Sequence, residues 1–90
     1  MPKQVRDVVT FVHDFNLPAS GKKCSFIDFR GHHMVEATRL MDGKVEMFTP
    51  ALMHVVARVE GVKITMEEFL EMKGKDYMAI TTALSEQGFI

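Results

Sequence analysis

Ninety residues, 11 basic against 12 acidic side chains, a formal charge of −1 and one cysteine set the first limits. A chain of this length makes one small domain that buries roughly 60–65% of its unfolded surface, so a partner is an ordinary source of added stability. The balanced charge excludes the electrostatic footprint of a nucleic-acid binder. Cys24 alone excludes an internal disulfide, which fits a reducing cytoplasm.

Lys3, Arg6, Asp7, His13 and Asp14 interrupt the first twenty residues, so no apolar signal-peptide core is expected there. The longest apolar stretch, Val45 to Val59, is broken by Glu46, Thr49, Pro50, His54 and Arg58, and is too polar to span a bilayer. The expectation is a soluble intracellular protein. Eight methionines and no tryptophan stand out. Methionine fills irregular core gaps, and it also lines binding surfaces that must adapt to varied apolar partners.

In chain order, Val8 to Phe15 is rich in β-branched and aromatic residues and predicts a strand. Strict alternation would put Phe11, His13 and Phe15 on one face, and Thr10, Val12 and Asp14 on the other. Neither face is purely apolar, so the strand is expected to be half exposed. Pro18 and Gly21 punctuate a turn in LPASGKK, and Lys23 to Phe29 is the return strand. A lone hairpin is marginal in water, so its phenylalanines must pack on the helices downstream.

After Gly31 the period changes. Met34, Ala37, Leu40 and Met41 predict a helix from about His32 to Met41, closed by Asp42-Gly43. A second helix is expected to run to about Val59, with Leu52, Val55, Val56 and Val59 on one stripe. Thr49-Pro50 suits its N-cap and first turn, and a start near Val45 with a kink at Pro50 is the alternative. Thr65-Met66-Glu67-Glu68 has capping-box spacing, Gly74 is expected to stop that short helix, and a last helix runs from Asp76 to Gly88. The pattern is α+β: one domain over 1–90, with an N-terminal β-hairpin (8–30) packed on a small bundle of three to four helices (32–88).

The chemical candidates are sparse. His32 and His33 are adjacent, and neighbouring helical side chains diverge by about 100°, which suits a shared metal badly. His13 and His54 have no second ligand at a familiar spacing, so neither a metal nor a cofactor is expected. Glu67, Glu68 and Glu71 sit in the first turns of a helix, where the dipole favours negative charge. Lys22 and Lys23 would lower the Cys24 pKa a little, yet no nucleophile elbow surrounds it. Ser20-Gly21-Lys22-Lys23 lacks phosphate-loop spacing, and the last helix offers only Lys75 to a DNA backbone. No catalytic residue is expected, and the chain reads as an interaction protein.

Leu17-Pro18-Ser20-Gly21-Lys22, Asp28-Phe29-Arg30-Gly31 and Glu36-Ala37-Arg39-Leu40 follow one another as turn, strand end and helix. Gly61 to Thr65 and Gly74-Lys75-Asp76-Tyr77-Met78-Ala79 follow later. In this order of elements the chain resembles the small gpE-like tail assembly chaperones of long-tailed bacteriophages and prophages. It departs from their pattern in the inserted Ala19 and in Pro50 inside the second helix. The resemblance implies a non-enzymatic protein of the host bacterial cytoplasm that binds the tape-measure protein, helps recruit the tail tube protein and self-associates. The rival expectation is a small adaptor or regulatory protein of a mobile element with a single protein partner. Phe11, Phe15, Met34, Met41, Met47 and Met53 are the expected partner-binding residues.

Overall fold

Residues 10–89 are described by a computed structural model. They form β1 (Phe11–Asn16), β2 (Lys23–Ile27), α1 (Gly31–Met41), a 3-10 turn (Val45–Met47), α2 (Phe48–Val56), β3 (Ala57–Val59), α3 (Met66–Glu71) and α4 (Gly74–Glu86). The fold is α+β, built on a three-stranded antiparallel sheet in the order β1-β2-β3. Val8 and Val9, with which the first strand was expected to begin, lie outside the described residues.

The hairpin pairs His13 with Phe26 and Phe15 with Cys24, but a bulge at Val12 brings Phe11 opposite Ile27. Directly opposed residues share a face, so the bulge moves Phe11 away from His13 and Phe15. That corrects the strict alternation expected from sequence. Phe11 stays 43% exposed, while His13, Phe15 and Phe26 form a ring cluster with centroids 5.5–5.8 Å apart.

The third strand was not expected. α2 stops at Val56 and the backbone turns extended at Ala57, where Ala57 and Val59 pair with Phe26 and Cys24. The Arg58 guanidinium donates to the carbonyls of Val55 and Ala57 at the end of the helix. Glu60 and Gly61 both take positive φ, +55° and +78°, and Val59 and Val62 exchange backbone bonds across them. Two positive-φ residues in a two-residue turn match the twist of flanking strands, so the sequence Val-Glu-Gly-Val closes a hairpin rather than a helix. β2 thereby becomes the central strand, and Cys24, Ser25, Phe26 and Ile27 are all buried.

α2 begins at Phe48 with Met47 as its N-cap, so Thr49 is not the cap. Pro50 falls in the first turn, where its missing N–H leaves no bond unmade. The capping box at α3 forms as expected: the Glu68 N–H donates to Thr65 Oγ1 and the Thr65 N–H to Glu68 Oε1. Gly74 opens α4 instead of stopping α3, which ends at an extended Met72. At the far end Gly88 has φ +82°, and the Phe89 N–H reaches back to the Leu84 carbonyl. That turn folds Phe89 onto Phe26 and Phe29, with ring centroids 5.5 and 4.7 Å away.

The LPASGKK turn is held from a distance. Asp76, in the first turn of α4 and 2% exposed, accepts from the Ala19 N–H (Oδ1, 2.7 Å) and the Ser20 N–H (Oδ2, 3.2 Å). Burial works to raise the Asp76 pKa. The N–H groups of Ala19 and Ser20, the Ser20 hydroxyl and the Lys22 charge outweigh it and hold the carboxyl below its usual value. Asp14, exposed and held low chiefly by the Ser25 hydroxyl, adds a weaker effect of the same sign. Within the turn the Leu17 N–H donates to the Lys22 carbonyl, the Gly21 N–H donates to the Leu17 carbonyl, and Gly21 has φ +75°.

A depressed carboxylate pKa stabilises the fold fully above the unfolded value, about 3.9, and this contribution disappears as pH falls through the folded value. Asp76→Asn is therefore expected to lower the melting temperature at neutral pH by roughly 10 °C and to flatten the loss of stability between about pH 5 and pH 2. Thermal melts of both proteins across that range check this; parallel pH profiles would refute the clamp. Gly21→Val is expected to cost about 1–2 kcal/mol in urea unfolding. No atom lies within 4 Å of the added Cβ, so that cost comes from the backbone alone.

Candidate functional site

Cys24, His33 and His54, three of the residues with chemical potential, are taken up by the fold. Cys24 is fully buried, and burial pushes its thiol up to about 12. The expected lowering by Lys22 and Lys23 is overturned, because desolvation of a thiolate in the core outweighs two solvated ammonium groups. His33 Nδ1 accepts the Arg30 N–H at 2.9 Å, so this ring caps the start of α1. Its pKa is lowered, first by burial and then by His32, Arg58 and Lys63 against the pull of Glu36. The His54 Nδ1–H donates to the Ile64 carbonyl at 2.7 Å, tying α2 to the segment before α3. Among the described residues, no three His, Cys, Asp or Glu side chains lie together in an arrangement that could hold a metal ion.

Among the hollows on the described residues, two are lined by residues of the expected set. The first, about 280 Å³, lies among α1, the 3-10 turn, α2 and α3 and is lined by Leu40, Met47, His54, Thr65, Met66, Glu67 and Leu70. Leu40 and Leu70 are exposed there, and Met47 and Met66 are half-buried. Their side chains are long and unbranched at Cβ, so the lining can repack around different apolar shapes. His54, pinned at the floor, gives this soft lining one fixed point.

The second hollow, about 680 Å³ and shallower, runs between β1 and α4, lined by His13, Phe15, Pro18, Lys75, Met78 and Ala79 with Thr82, Ala83 and Glu86. It exists because Asp76 fixes the start of α4 to the hairpin turn while Phe89 fixes its end to β2, leaving β1 only partly covered.

Of the expected partner-binding residues, two line these hollows. Phe15 lines the second hollow and Met47 the first. Met34 and Met41 are half-buried on α1, and Phe11 is exposed on the opposite face of β1 from Phe15. Met53 is in the core at 0% exposure and offers no surface to a partner, which removes it from the set. Leu40, Leu70 and Met66 line the first hollow and Met78 the second, though none was among the expected residues. A helical wheel gives part of that signal: Leu40 is three residues from buried Ala37, at the edge of the apolar stripe where helix and solvent meet.

No protein-family model matches this chain, and neither a curated protein nor a solved structure matches it. Among the described residues no helix is long and apolar enough to cross a membrane.

A thiol with so high a pKa and no exposure is inert to alkylation at neutral pH. Iodoacetamide at pH 7.5 is expected to leave Cys24 unmodified in native protein and to label it within minutes in denaturant. Labelling at equal rates in both states, read by mass spectrometry, would contradict the buried thiol.

Proposed function

We propose that this protein is a non-enzymatic tail assembly chaperone of a phage or prophage, which holds apolar helical segments of the tape-measure protein during tail assembly in the bacterial cytoplasm. The observation that carries this reading is the open hollow of Leu40, Met47, Met66 and Leu70 around a fixed His54. A further support is the chain's resemblance to tail assembly chaperones.

Apolar burial drives the interaction. A tape-measure protein is long and varied along its length, so its chaperone must accept many apolar surfaces rather than one. A hollow lined by methionine and leucine does so at low packing cost, because each side chain changes rotamer independently. Lodging an amphipathic helix there follows the helix-in-groove mode, with anchors at i, i+3 and i+4.

The test is co-purification with the tape-measure protein of the same genome at low salt and at about 0.5 M salt. Binding is expected to persist at the higher salt, since salt screens charges without weakening apolar burial. Leu70→Asp, at an exposed site, is expected to abolish it while leaving the circular dichroism spectrum unchanged. Binding lost with salt would make charge the driving force. No binding at either salt would favour an adaptor with a different single partner.

A further inference from the structure

In an antiparallel ladder, residue pairs that exchange backbone bonds alternate with pairs that do not. The Leu17 N–H donates to the Lys22 carbonyl, so Phe15–Cys24 and His13–Phe26 are the bonded pairs of the hairpin. Asn16 and Asp14, opposite Lys23 and Ser25, therefore turn their N–H and C=O groups away from β2. The Lys23 carbonyl agrees, since it faces the other way and accepts the Glu60 N–H. β1 ends the strand order, and among the described residues the backbone groups of Asp14 and Asn16 have no partner. This free edge is short: it starts after the bulge at Val12 and stops before Pro18.

The α4–β1 hollow lies beside that edge. His13 and Phe15 line it from the strand, and Met78, Ala79 and Thr82 line it from the helix, with Met78 66% exposed. Its ends are charged. Asp76 holds the start of α4 at the turn that follows β1, and Phe89 holds its end against Phe26 and Phe29, so α4 runs opposite to β1. Lys75 thus lies toward the Asn16 end of the strand and Glu86 toward the Phe11 end, about 16 Å apart along the helix axis. Neither forms an ion pair among the described residues.

A helix docked here would keep its own backbone bonds and leave those of Asp14 and Asn16 unmade. An extended segment makes them and fills the hollow at once. We propose that the β1 edge takes an extended segment of a partner protein as a fourth, antiparallel strand. It is about seven residues long, and its hollow-facing side chains read acid, apolar, apolar, base in chain order. The two apolar residues stand opposite Phe15 and His13 and enter the hollow against Met78, Ala79 and Thr82. Seven residues carry the first side chain about 20 Å from the last, within reach of Lys75 and Glu86. Antiparallel direction sets the acid beside Lys75 and the base beside Glu86. The surface is separate from the Leu40–Leu70 hollow, so this inference stands or falls independently of the tape-measure reading.

The test titrates nitrogen-15-labelled full-length protein, at low salt, with the capped peptide Glu-Thr-Val-Thr-Val-Thr-Lys up to about 2 mM. Saturation is expected to slow hydrogen exchange of the Asp14 and Asn16 amides about tenfold or more. The same peptide N-methylated on its first two threonines keeps every side chain but loses the two donors that face β1. It is expected to bind at least about tenfold more weakly. Exchanging the charged ends of the peptide is expected to cost about fivefold, and the variant K75E/E86K to reverse that preference. Both substituted positions are exposed, and an unchanged thermal melt confirms the fold. Absence of protection by every peptide over this range overturns the proposal. So does binding indifferent to N-methylation or to the exchange of ends. Protection of the two amides that rises with protein concentration and without peptide would make a second copy the occupant, and overturns it as well.

Discussion

The carboxylate of Asp76 fixes the start of α4 against the hairpin turn. It joins α4 to the hairpin turn across 57 residues of sequence, and it does so by accepting backbone N–H groups rather than by pairing with a cation. The distinction matters energetically. A carboxylate taken out of water loses its hydration, and only donors fixed in place can replace that water without an ordering cost at the moment of contact. The Ala19 and Ser20 N–H groups are such donors, because they lie in a turn held by its own Leu17–Lys22 and Gly21–Leu17 bonds. A second acid does the same for the other side of the sheet. Glu60 Oε2 accepts the Lys23 N–H at 2.7 Å, while the Glu60 N–H donates to the Lys23 carbonyl at 2.7 Å. The turn between β1 and β2 is thus gripped by residues from two later segments.

That grip explains what the turn is for. A two-stranded hairpin has too little apolar contact to be stable by itself. β3 pairs along β2, α4 lies over the His13–Phe15–Phe26 face, and Phe89 closes the far end on Phe26 and Phe29. β2 becomes buried on both faces, as its unbroken run Cys24-Ser25-Phe26-Ile27 requires. β1 does not, because α4 is set by its two anchors and not by contact with β1. The uncovered part of β1 is therefore a consequence of where Asp76 and Phe89 hold the helix.

Much of this was legible wherever the signal is local. The Thr65 capping box, the positive φ at Gly21, the reach of α1 and the stop at Gly88 each depend on a few adjacent residues, and each is present. The failures are of three physical kinds. Val55, Val56 and Val59 satisfy a helical stripe and a strand composition equally well, and only pairing with β2 selects the strand for Ala57–Val59. A one-residue bulge at Val12 breaks the alternation that placed Phe11 beside Phe15, and nothing in the residue types marks it. Asp76 looked like an ordinary acid near a helix start; its partners are too remote in sequence for any local pattern to show them. The methionines failed for a different reason. Met53 and Met47 are chemically identical, and their separate fates, core and open hollow, follow from position on α2 and on the 3-10 turn before it.

The distribution of methionine then has a mechanical meaning. α2 supplies the centre of the core, with Pro50, Ala51, Leu52, Met53, Val55 and Val56 all buried, and most of these side chains are short or β-branched and hence stiff. Flexible side chains collect at the periphery, at Met47 and Met66 on one hollow and Met78 on the other. Stiffness at the centre keeps the two hollows in a fixed relation, and flexibility at their rims lets each adapt.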